Sequence, residues 1–423
     1  MEGPNKKKQR RGEWSVADEQ QPSSHGLPLP VELIGHTFGF LTDHPRNLAR
    51  CALVCWAWAE VVGSNSDALW RQALRPFLRR WPVDHQHLEG VGWKAKLKRH
   101  MELYWRTTPP GPSDISRISP ELLGLGAPCI RLHPRRIEDG TVAPRKDASK
   151  WAGEFLWPSN EPWPKCEQFY KDHDADDDDE TCGVAVPVLQ LRKDDLAGVV
   201  TFPEGKDLFQ LLWCPTIHDD SYTVRIVHYW RSIQEVERIN AQVPTGQPLH
   251  PLPKEYPRCD TVPAPCWLSP ELVTDYPPVH DLPPALGAAV RSYNWPTVTG
   301  RRRHILRSAM DEDEDWSIYS AAPGLKVGGF VDYIQSTWGR NPHCCGEPMQ
   351  HLLHIPSWER GSGLPRWLPL PDRARFLAEE DKFGDESSVI VTPLKIMLGD
   401  AGSIYVHTCA KGCGNIDWLY QTS

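Results

Sequence analysis

The sequence lacks any apolar run that approaches the roughly 18 residues needed to cross a membrane, so no transmembrane helix is expected. Its opening stretch, MEGPNKKKQRRGEW, is charged and contains no apolar segment, so no secretory signal peptide is expected either. These two absences predict a protein of a reducing compartment, the cytoplasm or the nucleus. Its 12 cysteines are then expected to be thiols or metal ligands rather than disulfides.

Motifs of common catalytic sites are also missing. The sequence has no G-x-S-x-G nucleophile elbow, no G-x-x-x-x-G-K-[ST] phosphate loop and no H-E-x-x-H metal motif. Its net charge of −8 argues against a nucleic-acid-binding body. We therefore expect a binding protein rather than an enzyme, and no nucleic-acid partner.

A chain of 423 residues is too long for one ordinary core and predicts two or three domains. Residues 1–26 are predicted to be a disordered basic tail. Its run KKKQRR is either a nuclear localisation signal or a solvated basic segment without that role. Residues 27–106 have helical apolar spacing, and the Pro-rich residues 107–147 are predicted to be a linker. Strand signals such as LFQLLWC, SSVIVTPL and GSIYVHTC fall within residues 148–423. The predicted fold class is α+β, with a helical module followed by a strand-rich mixed domain.

Three short stretches define the helical module. LPVELIGHTFGFL at 29–41 has apolar residues at helical spacing, and LARCALVCWAW at 48–58 is apolar over a wide face. With the closing LWR at 69–71, these stretches resemble the F-box, a module of three short helices. One departure is Thr37, where the family usually has an aliphatic residue.

The apolar surface of this module indicates a partner interface, because three short helices cannot bury all of these side chains among themselves. In F-box proteins the partner is the adaptor subunit of SCF-type cullin–RING ubiquitin ligases and, through it, the cullin. The resemblance implies that nine residues contact the adaptor: Pro30, Leu33, Ile34, Phe38, Leu41, Leu48, Val54, Trp58 and Trp70. Their alternative role is the core of an ordinary helical bundle. The implied function is substrate recognition, with the C-terminal domain binding an unidentified protein target.

Two parts of the strand-rich region resemble each other. SKWAGEFLWPSNEPWPKC aligns with LKVGGFVDYIQSTWGRNPHC, which places Lys150 opposite Lys326, and further matches follow along the chain. The sequence therefore predicts an internal duplication, with halves at about 149–230 and 319–423.

Both halves also resemble the YwqG type of bacterial proteins of unknown function, in SKWAGEFLWP, KVGGFVDYIQS, CGEPMQHLLHI and GDAGSIYVHTC. The order Gly-Gly…Cys…Cys-Gly-x-Pro-Met is also similar to that of the programmed-cell-death zinc proteins, which act as chaperones of a ribosomal protein before assembly. These resemblances imply two alternatives to a ligase subunit. One is a zinc-containing chaperone-like protein of the ribosome-assembly type, and the other is an uncharacterised enzyme.

Eight residues are candidate zinc ligands, because four donors in the order Cys…Cys…Cys-x3-(Cys/His) suit a tetrahedral zinc ion. The set in the second half is Cys344, Cys345, Cys409 and Cys413, and the set in the first half is Cys166, Cys182, Cys214 and His218. Adjacent residues seldom both point at one ion, so His343 is an alternative ligand in the second set. The other interpretation of these cysteines is buried free thiols in a β core.

Overall fold

The computed structural model describes the following residues: 108, 114–137, 143–166, 184–216, 224–242, 260–293, 316, 319–335, 342–359, 367–369, 372 and 390–422. The chain divides into two units after Leu69, and every described residue belongs to the second unit. The predicted tail at 1–26 and the predicted helical module at 27–106 lie outside the described residues. None of the helices described is both long and apolar enough to cross a membrane.

The described part of the chain is rich in strands. Their bounds are β1 Ala127–Arg131, β2 Arg135–Arg136, β3 Lys150–Trp151, β4 Val186–Arg192, β5 Leu208–Cys214, β6 Arg225–Arg231, β7 Cys266–Trp267, β8 Glu271–Asp275, β9 Lys326–Gly328, β10 His343–Cys344, β11 Glu347–Pro348, β12 Gln350–Pro356, β13 Ser403–Thr408 and β14 Ile416–Gln421. The first sheet has the order β2-β7-β3-β4-β5-β6 and the second sheet the order β14-β13-β12-β9-β1-β8, while β10 and β11 form a separate hairpin. Neighbouring strands pair antiparallel throughout both sheets.

Two short α-helices accompany the sheets, α1 at Ile233–Asn240 and α2 at Pro284–Ser292. Helix α1 begins where the Ser232 hydroxyl accepts a hydrogen bond from the backbone N–H of Glu235, which satisfies one donor of the first turn. The described region thus agrees with the strand-rich part of the α+β prediction. The predicted three helices of the N-terminal module lie outside it.

The main hydrophobic core lies between the two sheets. It combines buried residues of the first sheet, such as Val188 and Leu211, with residues of the second, such as Val327, Leu353 and Ile404. Every residue of β5 is buried, as expected for an apolar strand covered on both faces, and LFQLLWC is confirmed as a strand. SSVIVTPL was also predicted to be a strand, and this prediction is wrong for its described residues 390–394, which form turns and no strand.

The two sheets exchange strands. In the first sheet β7 lies between β2 and β3, and in the second sheet β1 lies between β8 and β9. If β1 to β6 are matched in order with β7, β8, β9, β12, β13 and β14, matched strands occupy the same places in the two sheets. The duplication itself stays a prediction, and β1, β2, β7 and β8 lie outside its predicted halves.

The linker prediction is wrong for part of residues 107–147. The five residues APCIR form β1, which pairs with β8 on one side and β9 on the other. Cys129 at its centre is fully buried. A strand of five residues between proline-rich flanks gives only a weak sequence signal. Its partner strands lie far along the chain, so no local pattern could predict the pairing.

The two lysines that the alignment equates are both buried at the start of a strand. Lys326 Nζ in β9 lies 3.0 Å from the Asp275 carboxylate. Lys150 Nζ in β3 instead donates to the backbone carbonyls of Arg145, at 2.7 Å, and Lys146, at 3.0 Å. Burial lowers the pKa of Lys150 to about 7, because desolvation disfavours the charged ammonium.

Stability should therefore rise with pH between 7 and 9 through Lys150. The unfolded chain holds this proton up to the ordinary pKa of 10.5, whereas the folded chain releases it near 7. The unfolded state thus binds more protons in this window, and the free energy of unfolding increases with pH. Urea unfolding at pH 7, 8 and 9 measures the slope. In Lys150→Met this slope should become less positive than in the wild type, and equal slopes in the two proteins would contradict the assignment.

Candidate metal centre

Four cysteine thiols meet where β13 ends. The sulfur atoms of Cys344, Cys345, Cys409 and Cys413 all lie within 4.8 Å of one another. Cys344 Sγ lies 3.4 Å from Cys413 Sγ and 3.8 Å from Cys345 Sγ. A zinc ion with Zn–S bonds of about 2.3 Å places tetrahedral sulfurs about 3.8 Å apart. The cluster that the second set of candidate ligands predicted is therefore present, with the spacing of a tetrahedral thiolate site.

The β10–β11 hairpin explains how two adjacent cysteines can face one ion. Cys344 pairs with Glu347, and the two residues between them form the turn. Cys345 has φ 54° and Gly346 has φ 79°, so both are left-handed, as in the tightest hairpin turns. The chain reverses within this turn, which brings the Cys345 thiol back toward the Cys344 thiol. The objection that adjacent ligands point apart holds for extended strands but not here.

The other two thiols come from the turn Cys409–Asn415, which links β13 to β14. The backbone N–H of Gly412 donates to the Cys409 carbonyl at 3.0 Å, and the Cys409 N–H donates to the Asn415 carbonyl at 3.1 Å. Gly412 and Gly414 have φ of 70° and 91°, conformations that favour glycine. The turn thereby folds back so that Cys409 and Cys413 present their thiols on the same side.

Two further residues support the centre and were not predicted. Lys411 Nζ donates to the Cys345 carbonyl at 3.0 Å, and the Asn415 amide donates to Cys344 Sγ at 3.5 Å. Both residues lie inside the stretch CAKGCGN, and this position is the signal that could have identified them. The Asn415 amide N–H stabilises negative charge on the Cys344 sulfur, which favours the thiolate that a metal ion requires. Lys411 instead holds the backbone of the hairpin turn, and its ammonium also lies 3.5 Å from the Glu347 carboxylate.

The thiols differ in acidity. Hydrogen bonding, chiefly from the backbone N–H of Cys413, lowers the pKa of Cys409 to about 6. The pKa of Cys345 is instead raised, to about 12, mainly by its hydrogen bond with the Cys413 thiol. Cys409 is buried, while Cys345 and Cys413 are exposed. Binding of a metal ion would displace the protons of the thiols.

Only two of the four candidate ligands in the first half, Cys166 and Cys214, are among the described residues. Cys166 and Cys214 are both fully buried, and Cys182 and His218 lie outside the described residues. Within the described ranges, only the four-cysteine cluster groups three or more metal-ligating side chains, and His343 is not part of it. A metal site in the first half stays a prediction.

A cleft of about 420 Å³ opens beside the cysteine centre. It is lined by residues of the β10–β11 hairpin and of the start of β14: Pro342, His343, Cys344, Met349, Asn415, Ile416 and Asp417. One thiol of the cluster thus forms part of a surface that solvent reaches.

The Gly346 turn offers a direct test of how the hairpin presents the thiols. A Cβ at Gly346 would meet no atom within 4 Å, so a substitution there changes the backbone preference without a clash. Left-handed backbone costs a residue with a Cβ roughly 1–2 kcal/mol, and asparagine tolerates it better than valine. Gly346→Val should bind zinc about tenfold more weakly than wild type, as measured by competition with a chromophoric chelator. Gly346→Asn should stay close to wild type, and equal affinities for both variants would contradict the role of the turn.

Comparison with known protein families identifies the N-terminal region. Residues 27–75 match the family model described as F-box-like, a range that includes the motifs at 29–71. The nine predicted adaptor contacts all fall in this range, but they lie outside the described residues. No curated protein shows significant similarity to the chain, and the resemblance of its C-terminal region to the YwqG type stays a prediction. The chain carries an F-box-like domain at residues 27–75.

Proposed function

We propose that this chain is the substrate-recognition subunit of an SCF-type cullin–RING ubiquitin ligase. The observation that carries the proposal is the F-box-like domain at residues 27–75. F-box domains typically bind the adaptor subunit, which in turn binds the cullin. Leu33, Ile34 and the other seven apolar residues named above are the contacts that the family pattern assigns to this interface.

The two-sheet domain then holds the protein target. Its core is continuous between the sheets, so the domain offers a rigid body on which a target can be oriented. In this role the chain itself catalyses no step. Its contribution is proximity, because a lysine held near the transferred ubiquitin reacts at a much higher effective concentration. The ligase subunit would act in the cytoplasm, the nucleus or both.

The cysteine centre is assigned a structural zinc ion. Four thiolates that surround one point leave no open position for substrate or water, which is the arrangement of structural rather than catalytic zinc sites. Cys344, Cys345, Cys409 and Cys413 would hold the ion, and Lys411 and Asn415 would orient two of the ligands. The zinc would stabilise the fold around β13 and β14 and take no part in ubiquitin transfer.

Affinity purification of the full chain, followed by mass spectrometry, tests the proposed function. The adaptor and cullin should co-purify, together with a protein that becomes more abundant when the ligase is inhibited. That protein is the candidate target. Purification of ribosomal proteins without adaptor or cullin would favour the chaperone-like alternative instead.

A further inference from the structure

The turn Cys409–Asn415 has two sides, and only one of them carries the thiols. Its other side lies against β6 of the first sheet and against residues 201–203, which precede β5. A Cβ at Gly412 would lie 3.1 Å from the carbonyl oxygen of Phe202. A Cβ at Gly414 would lie 3.3 Å from Pro203 and 3.4 Å from the Trp230 ring. The turn therefore approaches the first sheet more closely than residues with side chains would easily allow.

Hydrogen bonds join the turn to β6. The Gly414 carbonyl accepts one bond from Trp230 Nε1 at 2.8 Å and lies 3.2 Å from His228 Nε2. Both side chains belong to β6, the last strand in the order of the first sheet. The Trp230 ring also packs on Phe202 and Phe209, with ring centroids 4.8 and 4.6 Å apart. Trp230 thus connects the cysteine turn to the core between the sheets.

We propose that the cysteine centre is a metal-dependent clasp between the two sheets. Metal binding to Cys409 and Cys413 sets the conformation of the turn, and the Gly414 carbonyl in that turn then holds β6 through Trp230 and His228. This clasp rests on the zinc site proposed above and goes beyond it. It makes the local stability of β6 in the first sheet depend on a metal ion bound beside the second sheet.

The coupling works in both directions. If bound metal strengthens the contact between Gly414 and Trp230, thermodynamic linkage requires that this contact strengthen metal binding by the same factor. Loss of the indole hydrogen bond should therefore weaken zinc binding, although Trp230 is not a ligand. A zinc site without the clasp would be insensitive to Trp230.

The first experiment is hydrogen exchange of the full chain, with zinc bound and after removal of zinc by a chelator. We expect amides of β6, residues 225–231, to exchange at least tenfold faster in the metal-free protein. Strand β8, residues 271–275, is the edge strand of the second sheet opposite to β14. The exchange rates of its amides should change much less. Loss of zinc with unchanged exchange in β6 would overturn the clasp while leaving the zinc site in place.

The second experiment compares zinc affinities of two matched variants by chelator competition. Trp230→Phe keeps an aromatic ring but removes the N–H donor together with part of the indole ring, and it should weaken zinc binding about fivefold. Trp213→Phe is the control, because its indole donates to the Thr261 carbonyl at 2.8 Å, away from the turn. Trp213→Phe should leave zinc affinity unchanged, and equal affinities for Trp230→Phe and wild type would overturn the clasp.

If chelation unfolds the whole domain, zinc binding is coupled to folding and both variants lower the apparent zinc affinity. The clasp then requires a larger loss in Trp230→Phe than in Trp213→Phe, after both losses are corrected for the measured stability of each variant. Elemental analysis of each purified sample separates the remaining outcomes. Protein that binds no zinc would overturn both the zinc site and the clasp, whereas co-purification of the adaptor would be unaffected by either result. Zinc at one ion per chain with the expected fivefold loss in Trp230→Phe alone supports the clasp.

Discussion

Changing Leu33 and Ile34 together to aspartate should abolish co-purification of the adaptor and the cullin. In the proposed function both side chains belong to the apolar adaptor interface, and both lie in the F-box-like range 27–75. Binding would then require two carboxylates to leave water without partners, which costs several kcal/mol for each charge. A loss of this size lowers affinity by several orders of magnitude. Immunoprecipitation of the tagged full chain, with the bound adaptor quantified, measures the effect.

The matched control for this experiment is Leu272→Asp. Leu272 lies in β8 with 59% of its surface exposed, so an aspartate there stays in water. This variant should bind the adaptor as well as wild type and should unfold at a similar temperature. Wild-type amounts of adaptor and cullin bound to the Leu33/Ile34 double variant would show that residues 27–75 do not act as an F-box in this chain.

Replacing Cys409 with serine should remove the metal and greatly reduce the stability of the two-sheet domain. Cys409 is the buried member of the four-thiol cluster, and its substitution leaves three ligands. Structural zinc contributes an apparent binding free energy on the order of 10 kcal/mol, comparable to the whole stability of an average domain. Elemental analysis should find at least one zinc per wild-type chain and less in Cys409→Ser. Thermal unfolding should show a large loss of stability in the variant.

Cys266→Ser is the control for this prediction. The Cys266 thiol is also buried, but it donates to the carbonyls of Ala264 and Pro393, which a serine hydroxyl can reach as well. This variant should keep its zinc and most of its stability. Wild-type protein purified without chelator that carries no metal would leave the four cysteines as thiols.

The candidate metal centre shows how far the sequence could lead. The order of Cys344, Cys345, Cys409 and Cys413 along the chain predicted one four-ligand set, and the four sulfurs do converge. The adjacency of Cys344 and Cys345 argued against such a site, because adjacent side chains seldom point at the same ion. The sequence alone could not answer this objection, since it does not give the backbone dihedral angles of the turn. The left-handed turn at Cys345 and Gly346 removes the objection, and it became visible only in the folded hairpin.

By itself, the sequence determined those features that depend on local pattern. The F-box-like region at 27–75 and the strands β5 and β13 were indicated by residues close together in the chain, and the four cysteines of the second half by their order along it. Only the tertiary structure decided the features that depend on distant partners. β1 is an interior strand because β8 and β9, 140 or more positions later in the chain, pair with it on its two sides. The Gly414 carbonyl accepts a hydrogen bond from Trp230, which lies 184 positions earlier. Pairing over such separations is set by how whole sheets fit together, and a local sequence pattern carries no record of that fit.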